Sequence, residues 1–308
     1  MAASDGIPDF PMPELPEIET VRRRLHGVLK NQKIVAVKTE RDDYIFYDKD
    51  EPRAVERAFR DAVVTGSGRK GKYFWLTLNR KPWPVMHLGM SGNIQIRRKQ
   101  KNGKLVPTYG WGGLGLYHNR GKKADLTKPP RFCRLMLTTK SGIQVAITDP
   151  RRFGRLRLSE DPEQSPAIRR LGMDPLGEFP SAKKLFEKLQ KRKIAIKALL
   201  LDQKVFAGVG NWIADEVLYQ ARIDPHCLAS KLSPAEVSRL RQKLMSILKT
   251  SIRLEADWSL YPKNWLFNFR WGKKTDAQDS RGRAIMHETI GGRTTAWVPE
   301  VQYKVPSS

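Results

Sequence analysis

The sequence has little cysteine, no long apolar run and a shortage of acidic residues. Only Cys133 and Cys227 occur among its 308 residues, which argues against a fold built on a disulfide framework. No apolar run approaches the roughly 20 residues of a transmembrane span, and no secretory signal opens the chain. We therefore expect an intracellular, soluble protein with no membrane partner.

Acidic residues are too few to balance the basic ones. Lys and Arg number 57 against 32 Asp and Glu, which gives a formal charge of +25 and a pI near 10.2. An excess spread along the whole chain indicates a polyanionic partner, most simply nucleic acid. A basic tail and an anionic membrane are the alternatives. At this length the chain suits two domains, each with its own core.

The most reactive candidate group lies near the start of the chain, where residues 12–17 read Met-Pro-Glu-Leu-Pro-Glu. Removal of Met12 would leave Pro13 as an N-terminal secondary amine with a pKa of roughly 7.7–8.0, partly unprotonated at neutral pH. Such an amine can attack an electrophilic carbon and form a cationic iminium. Glu14 lies beside it as a candidate general acid and base.

An internal Pro13 has none of this reactivity. If the preceding residues stay attached, its nitrogen is a tertiary amide with no proton and no basicity. The sequence therefore predicts either a chain processed or started at Met12, or a protein that cannot use Pro13. Residues 1–12 are predicted to be a disordered or removed extension.

The first half of the chain predicts one helix and then short strands. A helix should begin near Pro16, where apolar residues recur at helical spacing. Short β patterns follow to residue 158 and indicate a β-sandwich. Residues 99–130, rich in Lys, Gly and Pro, are interpreted as a long surface insertion. The predicted strands are 33–39, 72–78, 84–88, 93–97, 131–138, 144–148 and 155–158.

The second half is predicted to be helical. Residues 159–180 are typical of a linker, and Phe206-Ala-Gly-Val-Gly-Asn211 predicts a tight turn between two helices. A β-hairpin is predicted over about 282–301, with its turn at Gly291-Gly292. The fold class is α+β, with an N-terminal domain at 13–158 and a C-terminal domain at 181–308. Helices are predicted at about 181–191, 195–202, 211–221 and 233–254.

Six short patterns occur in one order along the chain. They are Pro-Glu-Leu-Pro-Glu (13–17), Gly-Lys-Tyr (71–73), His-Leu-Gly-Met-Ser-Gly (87–92), Thr-Asp-Pro-Arg-Arg-Phe-Gly (148–154), Gly-Val-Gly-Asn (208–211) and Gly-Gly-Arg-Thr-Thr (291–295). Together they resemble the formamidopyrimidine-DNA glycosylase / endonuclease VIII family, from Pro13 to about Gln302. The lack of cysteine after Cys227 and the run at 265–274 are similar to the plant and fungal branch, whose finger holds no zinc.

The resemblance implies a fold. The N-terminal catalytic domain would be a two-sheet β-sandwich with a leading helix. The C-terminal domain would contain a helix–two-turns–helix motif and a zincless β-hairpin finger. No metal site and no cofactor are implied. Packing of Ile285 and Trp297 is expected to hold the hairpin without a metal.

The resemblance also implies an activity: base-excision repair by a bifunctional DNA glycosylase and AP lyase acting on damaged double-stranded DNA as a monomer. Pro13 would attack C1′ of an oxidised purine nucleotide, form a Schiff base and cleave the strand by β,δ-elimination. Glu14 would protonate the sugar ring oxygen. Lys72 would contact the damaged base or its phosphate, and Glu17 would support the site.

Several residues match DNA-binding positions of the family. Met90, Arg151 and Phe153 match the trio that fills the gap left by an extruded base, a gap that costs a few kcal/mol to open. Core packing is the alternative for Met90 and Phe153, but the glycines around them favour exposed turns. Arg152 would bind a phosphate.

The C-terminal domain supplies the remaining matches. Asn211 would clamp phosphate at a helix start, where backbone N–H groups are free, or would simply cap the helix. Lys197 matches a DNA-binding position of the same pattern, and Arg293 would be presented to DNA by the hairpin.

Three further expectations complete the interpretation. The aromatic and basic stretch 261–274 offers no flexible loop to cover a flipped 8-oxoguanine, so we predict good excision of formamidopyrimidines and hydantoins and weak excision of 8-oxoguanine. The alternative function is a catalytically silent damaged-DNA-binding protein in which Pro13 stays blocked. An RNA-binding protein fits the charge but not the gap-filling residues. Basic runs such as 97–101 weakly indicate the nucleus.

Overall fold

The chain divides after Arg169 into unit 1 (Met1–Arg169) and unit 2 (Arg170–Ser308). The division lies inside the segment 159–180 that the sequence marks as a linker. The computed structural model describes residues 12–40, 42, 45–46, 51–110, 118–119, 122–123, 125–126, 128–272 and 276–302. The extension 1–11 and parts of the insertion 99–130 lie outside the described residues.

Unit 1 begins with helix α1 (Leu15–Leu29), as the apolar spacing predicted. Pro16 lies in its first turn, where a missing N–H leaves no hydrogen bond unmade. The apolar stripe faces the core of the unit and is buried along its whole length. It consists of Ile18, Val21, Leu25 and Leu29.

Two large antiparallel sheets follow in unit 1 and share one apolar core with α1, which confirms the predicted two-sheet architecture. A separate two-stranded sheet pairs His118–Asn119 with Lys122–Lys123. The first sheet has the order β1-β9-β10-β5-β6 and the second the order β11-β4-β3-β2. The elements are β1 Ile34–Thr39, helix α2 Glu51–Phe59, β2 Val64–Lys70, β3 Tyr73–Leu78, β4 Trp83–His87, β5 Asn93–Lys99, β6 Leu105–Gly110, β7 His118–Asn119, β8 Lys122–Lys123, β9 Cys133–Thr139, β10 Ile143–Thr148, β11 Arg155–Ser159 and helix α3 Pro166–Arg169.

Four strands of unit 1 were not predicted, namely β2, β6 and the two-residue strands β7 and β8. Strand β2 reads Val-Thr-Gly-Ser-Gly-Arg-Lys and shows no apolar alternation. Its Gly68 leaves room for the indole of Trp75, because an added Cβ would lie 2.3 Å from the ring. Strand β6 forms the edge of the first sheet, so the start of the 99–130 segment extends the sheet instead of forming a loop.

Unit 2 contains the helices and the hairpin. Its elements are α4 Ala182–Leu189, α5 Ile196–Leu201, α6 Asn211–Ala221, α7 Pro234–Arg253, β12 Met286–Ile290 and β13 Arg293–Trp297. Ser233 and Glu236 form a capping box at α7, with Pro234 in the first helical position. The hairpin turns at Gly291-Gly292, both at positive φ. No helix of the described residues is long and apolar enough to cross a membrane.

Candidate functional site

Pro13 and Glu14 are buried directly before α1, so packing of the helix fixes their position. The backbone N–H of Glu14 donates to Oε2 of Glu17 at 2.9 Å, and the two residues form a capping box. Glu14 and Glu17 are 1% and 2% exposed. The structure therefore brings together the predicted nucleophile, its acid–base partner and the supporting carboxyl group.

Glu17 holds a proton at neutral pH. Burial, and then the negative charge of Glu14, raise the pKa of the Glu17 carboxyl to about 8. Its bond to the Glu14 N–H and the positive charge of Lys72 act in the opposite direction but do not outweigh burial. Glu17 is thus a neutral hydrogen-bonding group, and its supporting role in the site stays a prediction.

Lys72 lies in the turn between β2 and β3, within electrostatic reach of both Glu17 and His87. Burial, with the charges of Lys72 and Arg155, lowers the pKa of His87 to about 4. Nδ1 of His87 accepts the N–H of Gly89 at 2.9 Å, so the neutral ring carries its proton on Nε2. The sequence interpretation gave His87 no role, although it begins one of the six motifs.

A buried ion pair positions the turn that carries Lys72. Nε of Arg69 donates to Oε2 of Glu19 at 3.1 Å, and both side chains are less than a tenth exposed. Nη1 of Arg69 donates to the carbonyl of Gly71 at 3.1 Å. Glu19 belongs to α1, so one chain of bonds connects the helix that follows Pro13 with the Lys72 turn.

Met90, Arg151 and Phe153, hereafter the wedge, lie together on two adjacent loops of unit 1. Nη2 of Arg151 donates to the Met90 carbonyl at 2.9 Å, and its guanidinium lies 5.9 Å from the Phe153 ring centroid. Phe153 is 48% exposed. A large apolar side chain that is half exposed beside an exposed arginine is what a base-replacing wedge requires, and core packing does not explain it.

Asp149 joins the two wedge loops. Its Oδ1 accepts the Ser91 hydroxyl at 2.5 Å and the Arg151 N–H at 3.2 Å, and its Oδ2 accepts the Gly154 N–H at 2.7 Å. The loops also touch directly, since a Cβ on Gly89 would lie 2.4 Å from backbone atoms of Phe153. Sequence analysis missed Asp149 and Ser91, although both lie inside quoted motifs.

Arg152 points to a protein carboxylate. Its Nε and Nη2 donate to the buried Asp42 at 2.8 and 3.2 Å. The side chain remains 43% exposed. The phosphate contact of Arg152 stays a prediction, and any such contact would be made by a guanidinium already paired with Asp42.

In unit 2, Asn211 is the first residue of α6 and bonds to the hairpin. Gly210 occupies the cap position, so Asn211 is not the helix cap. Nδ2 of Asn211 donates to the Thr294 carbonyl at 2.8 Å. Arg293 is exposed at the start of β13, next to this bond. The structure therefore brings Asn211 and Arg293 close together. This pair is hereafter the clamp, and its phosphate contacts stay a prediction.

Lys197 does not reach the surface, which corrects its predicted DNA contact. Its side chain is completely buried, and its ammonium pairs with Asp215 and donates to the Asn211 carbonyl at 3.0 Å. A charge with no exposed surface cannot meet a phosphate. Lys197 acts inside unit 2, beneath the clamp.

The segment after α7 is packed by aromatic rings. The ring centroid of Tyr261 lies 5.1 Å from that of Trp265 and 5.0 Å from that of Phe267. The Phe267 ring also lies 5.2 Å from the Trp212 ring of α6. The Phe267 N–H donates to the buried Glu216 at 2.8 Å. Residues 273–275 lie outside the described part.

The hairpin is attached to unit 2 by packing and ion pairs. Ile285 is buried in an apolar cluster with Tyr219 and Val298, and Trp297 contacts the His226 ring edge at 5.3 Å. These are the two residues expected to hold it. Within the described residues, no group of three or more His, Cys, Asp or Glu side chains is arranged to bind a metal ion.

Two family models match the chain. One describes the formamidopyrimidine-DNA glycosylase N-terminal domain and matches residues 12–156. The other describes the formamidopyrimidine-DNA glycosylase H2TH domain, the helix–two-turns–helix domain, and matches residues 171–261.

Whole relatives match as well. A formamidopyrimidine-DNA glycosylase of Arabidopsis thaliana is 36% identical over 94% of this chain and 71% of its own length. One from Bradyrhizobium sp. (strain ORS 278) is 33% identical over 94% of this chain and its full length. The crystal structure of the Lactococcus lactis enzyme bound non-covalently to DNA with an AP site matches with a TM-score of 0.73 and 25% identity, over 94% of this chain and 100% of that one. A mutant of that enzyme with Fapy-dG DNA gives a TM-score of 0.74 at 25% identity, covering 95% and 100%.

Proposed function

The chain belongs to the formamidopyrimidine-DNA glycosylase family, and we propose that it is a bifunctional DNA glycosylase and AP lyase of base-excision repair with Pro13 as nucleophile. Its substrate is duplex DNA that carries an oxidised purine. The observation that carries this proposal is the buried cluster at the start of α1, where Pro13, Glu14 and Glu17 meet within electrostatic reach of Lys72.

The glycosylase step needs a free Pro13 nitrogen, so the Met12–Pro13 peptide bond must first be broken. The nitrogen then attacks C1′ of the damaged nucleotide, and the bond from C1′ to the base breaks as the base leaves with a proton. Ionised Glu14 first takes one proton from the Pro13 ammonium, which leaves the amine able to attack, and then gives this proton to the ring oxygen. The remaining N–H proton of Pro13 leaves with the base, the sugar opens, and a cationic iminium joins Pro13 to C1′.

The lyase step uses the iminium as an electron sink. Loss of a proton from C2′ expels the 3′ phosphate, and loss of a proton from C4′ then expels the 5′ phosphate. Water hydrolyses the iminium and releases Pro13. Neutral Glu17 accepts the Glu14 N–H without adding a second negative charge that would compete for protons.

Base extrusion is assigned to the wedge. Phe153 and Met90 occupy the space that the extruded nucleotide leaves, and Arg151 donates to the orphaned base. Asn211 and Arg293 of unit 2 bind the phosphate backbone, in keeping with the exposed position of Arg293 and the high positive charge of the chain.

The preferred lesions are formamidopyrimidines and hydantoins, with 8-oxoguanine excised weakly. The support is the packed aromatic segment after α7, in which Tyr261 contacts Trp265 and Phe267, and the Phe267 N–H is bonded to Glu216. A segment held in this way is not free to close over a flipped purine. Similar turnover of 8-oxoguanine and a hydantoin by one preparation would contradict this part.

The test is borohydride trapping on duplex DNA with a hydantoin lesion, followed by peptide mapping. Two chains are compared, one that retains Met1–Met12 and one that begins at Pro13. We expect a covalent adduct at Pro13 only in the second chain. The control is a Pro13→Ala variant of that second chain whose terminal amine is acetylated. It should still bind DNA but should form no adduct.

The catalytically silent damaged-DNA-binding protein is the alternative. It is favoured by the chain as written, in which Pro13 follows Met12 as an amide. Tight, salt-dependent DNA binding with no adduct from either chain would establish it. We also propose a nuclear location, on the basic composition of the chain alone. The basic run 97–101 adds little support, because its Arg97 is buried in β5. A fluorescent fusion excluded from the nucleus would contradict it.

A further inference from the structure

A buried carboxylate lies at the centre of unit 2 and receives donors from three directions. Asp215 of α6 is 1% exposed. Its Oδ1 pairs with the Lys197 ammonium of α5, and its Oδ2 accepts Nε and Nη2 of Arg270 at 3.1 and 2.6 Å. Oδ2 also accepts the backbone N–H of Ala296 in β13 at 3.2 Å.

Each donor leads to a part of the clamp. Lys197 also donates to the carbonyl of Asn211, so it fixes the first residue of α6. Ala296 lies three residues after Arg293 on the same strand, so its bond to Asp215 fixes the strand that presents Arg293. The bond from Asn211 to the Thr294 carbonyl also connects α6 directly to β13.

The hairpin needs such an anchor. An isolated two-stranded hairpin is marginally stable in water, and the described residues hold no metal-binding cluster beside it. The tip also lies close to α5, because a Cβ on Gly291 would meet the Ala198 Cβ at 2.8 Å. Small shifts of β13 relative to α5 and α6 would therefore move Arg293 relative to Asn211.

We propose that Asp215 is the positioning residue of the phosphate clamp, holding Asn211 through Lys197 and Arg293 through Ala296. It touches no DNA. This inference rests on the proposed function, since it takes the Asn211–Arg293 pair as the DNA-binding element. Removal of the charge leaves the buried cations Lys197 and Arg270 without the negative charge that they share, so they repel each other.

The first test follows the hairpin without DNA. Asp215→Asn keeps the side-chain size, and Glu216→Gln is its matched control, because Glu216 is the adjacent buried carboxylate but bonds to Phe267 and Gln220. Hydrogen exchange of the amides at 293–297 should be at least tenfold faster in D215N and unchanged in E216Q. Exchange in D215N at the wild-type rate overturns the proposal.

The second test is a double-mutant cycle on duplex DNA that carries a tetrahydrofuran abasic analogue. Arg293→Ala should weaken binding about tenfold in the wild-type and E216Q backgrounds, and the salt dependence of log K should become shallower by about 0.9 per lost phosphate contact. In D215N the DNA affinity is already lowered, so Arg293→Ala should lower it by less than a further factor of two. Equal effects of Arg293→Ala in D215N and wild type overturn the proposal.

Lys197→Met covers the case in which D215N does not fold. It should speed exchange of the same amides and make the salt dependence of log K shallower in the same way. If those amides exchange at the wild-type rate in this variant, the proposal is overturned. Failure of the proposed function would look different, because the adduct at Pro13 would be missing from a wild-type chain whose clamp binds DNA normally.

Discussion

The Ser91 hydroxyl donates a 2.5 Å hydrogen bond to Oδ1 of Asp149, and this bond ties the loop of Met90 to the loop of Arg151 and Phe153. The same oxygen accepts the Arg151 N–H. The two loops that carry the wedge are thus both bonded to one carboxylate, although they are separate in the sequence. Their relative position depends on a contact that spans 58 residues.

Loss of the Ser91 hydroxyl should slow base extrusion. A hydrogen bond to a charged group contributes about 1.5–3 kcal/mol, so Ser91→Ala should lower single-turnover excision of a hydantoin roughly tenfold. Cleavage of a preformed abasic site should fall less, because a damaged nucleotide without its base is extruded more easily. Ser141→Ala is the control, since it removes a 2.6 Å bond to Gln32 away from the wedge. Equal losses on both substrates would assign the effect to general DNA binding.

Alanine at position 89 should separate the wedge loops. Gly89 has φ +61°, and its Cβ would lie 2.4 Å from the Phe153 carbonyl. We expect Gly89→Ala to destabilise unit 1 by more than about 2 kcal/mol in urea unfolding. Gly103→Ala, at φ +81° but with its nearest atom 4.0 Å away, should cost only the backbone strain of about 1–2 kcal/mol. A similar cost for both variants would show that the close contact with Phe153 relaxes easily.

The buried Glu17 should make stability fall as pH rises. Its pKa is about 8 in the folded protein against 4.5 when exposed, so between these values the folded state binds a proton that the unfolded state has released. Stability is lost across this window by up to about 1.4 kcal/mol per pH unit. Glu17→Gln should remove this dependence. In chemical unfolding, the free energy of unfolding of the variant should therefore rise relative to that of the wild type between pH 5 and pH 8. A constant difference between the two proteins across that range would contradict the assignment.

The Glu19–Arg69 pair should act through Lys72. Burial alone would raise the pKa of Glu19, but hydrogen bonds from Arg22 and Arg23 and nearby arginine charges lower it to about 2, so it is ionised at all working pH values. Arg69→Ala should free the Gly71 carbonyl, move Lys72 and lower excision about as much as Lys72→Ala. The double variant should be no worse than either single one. Arg23→Ala, which removes a 59% exposed partner of the same carboxylate, should leave excision unchanged.

His226 should make hairpin attachment depend on pH. Burial opposes its charge, but bonds to Glu288 of β12 and to Asp224 outweigh burial and raise its pKa. The attachment is therefore complete below the ordinary histidine pKa of about 6.5 and is lost as pH rises through the raised folded value. Hydrogen exchange at 286–290, corrected for intrinsic rates, should accelerate across that range in the wild type. His226→Gln should show faster exchange already at low pH and no such transition.

Short-range signals in the sequence predicted a large part of the architecture. The stripe from Ile18 to Leu29, the helix expected at about 233–254 and the Gly291-Gly292 turn each depend on neighbours within a few residues. Each of these elements formed close to the expected bounds. Strand β2 escaped prediction because its glycines serve the packing of Trp75, which lies across the sheet. Strand β6 escaped because its polar, Pro-containing sequence is stabilised only by pairing with β5.

Partners distant in sequence were the part that could not be predicted. The motif placed Lys197 correctly in the helical unit but did not predict that its side chain is buried. Its partner Asp215 lies 18 residues away in the sequence, and Arg270, which shares that partner, lies a further 55 residues away. A lysine between apolar residues fits an exposed contact as well as a buried pair. The placement of Met90 and Phe153 on exposed turns was easier to predict, since the glycines beside them mark such turns in the sequence itself.

The ionic attachment at Asp215 has a consequence for how the clamp responds to temperature. Hydration of charged groups carries a strongly negative entropy, so the penalty for keeping Lys197, Asp215 and Arg270 away from water falls as the protein warms. Apolar packing around Ile285 and Val298 gains no comparable advantage. On warming, the buried charges should therefore contribute a larger share of the stability of the hairpin, and apolar packing a smaller share. The ionic attachment contributes least at low temperature.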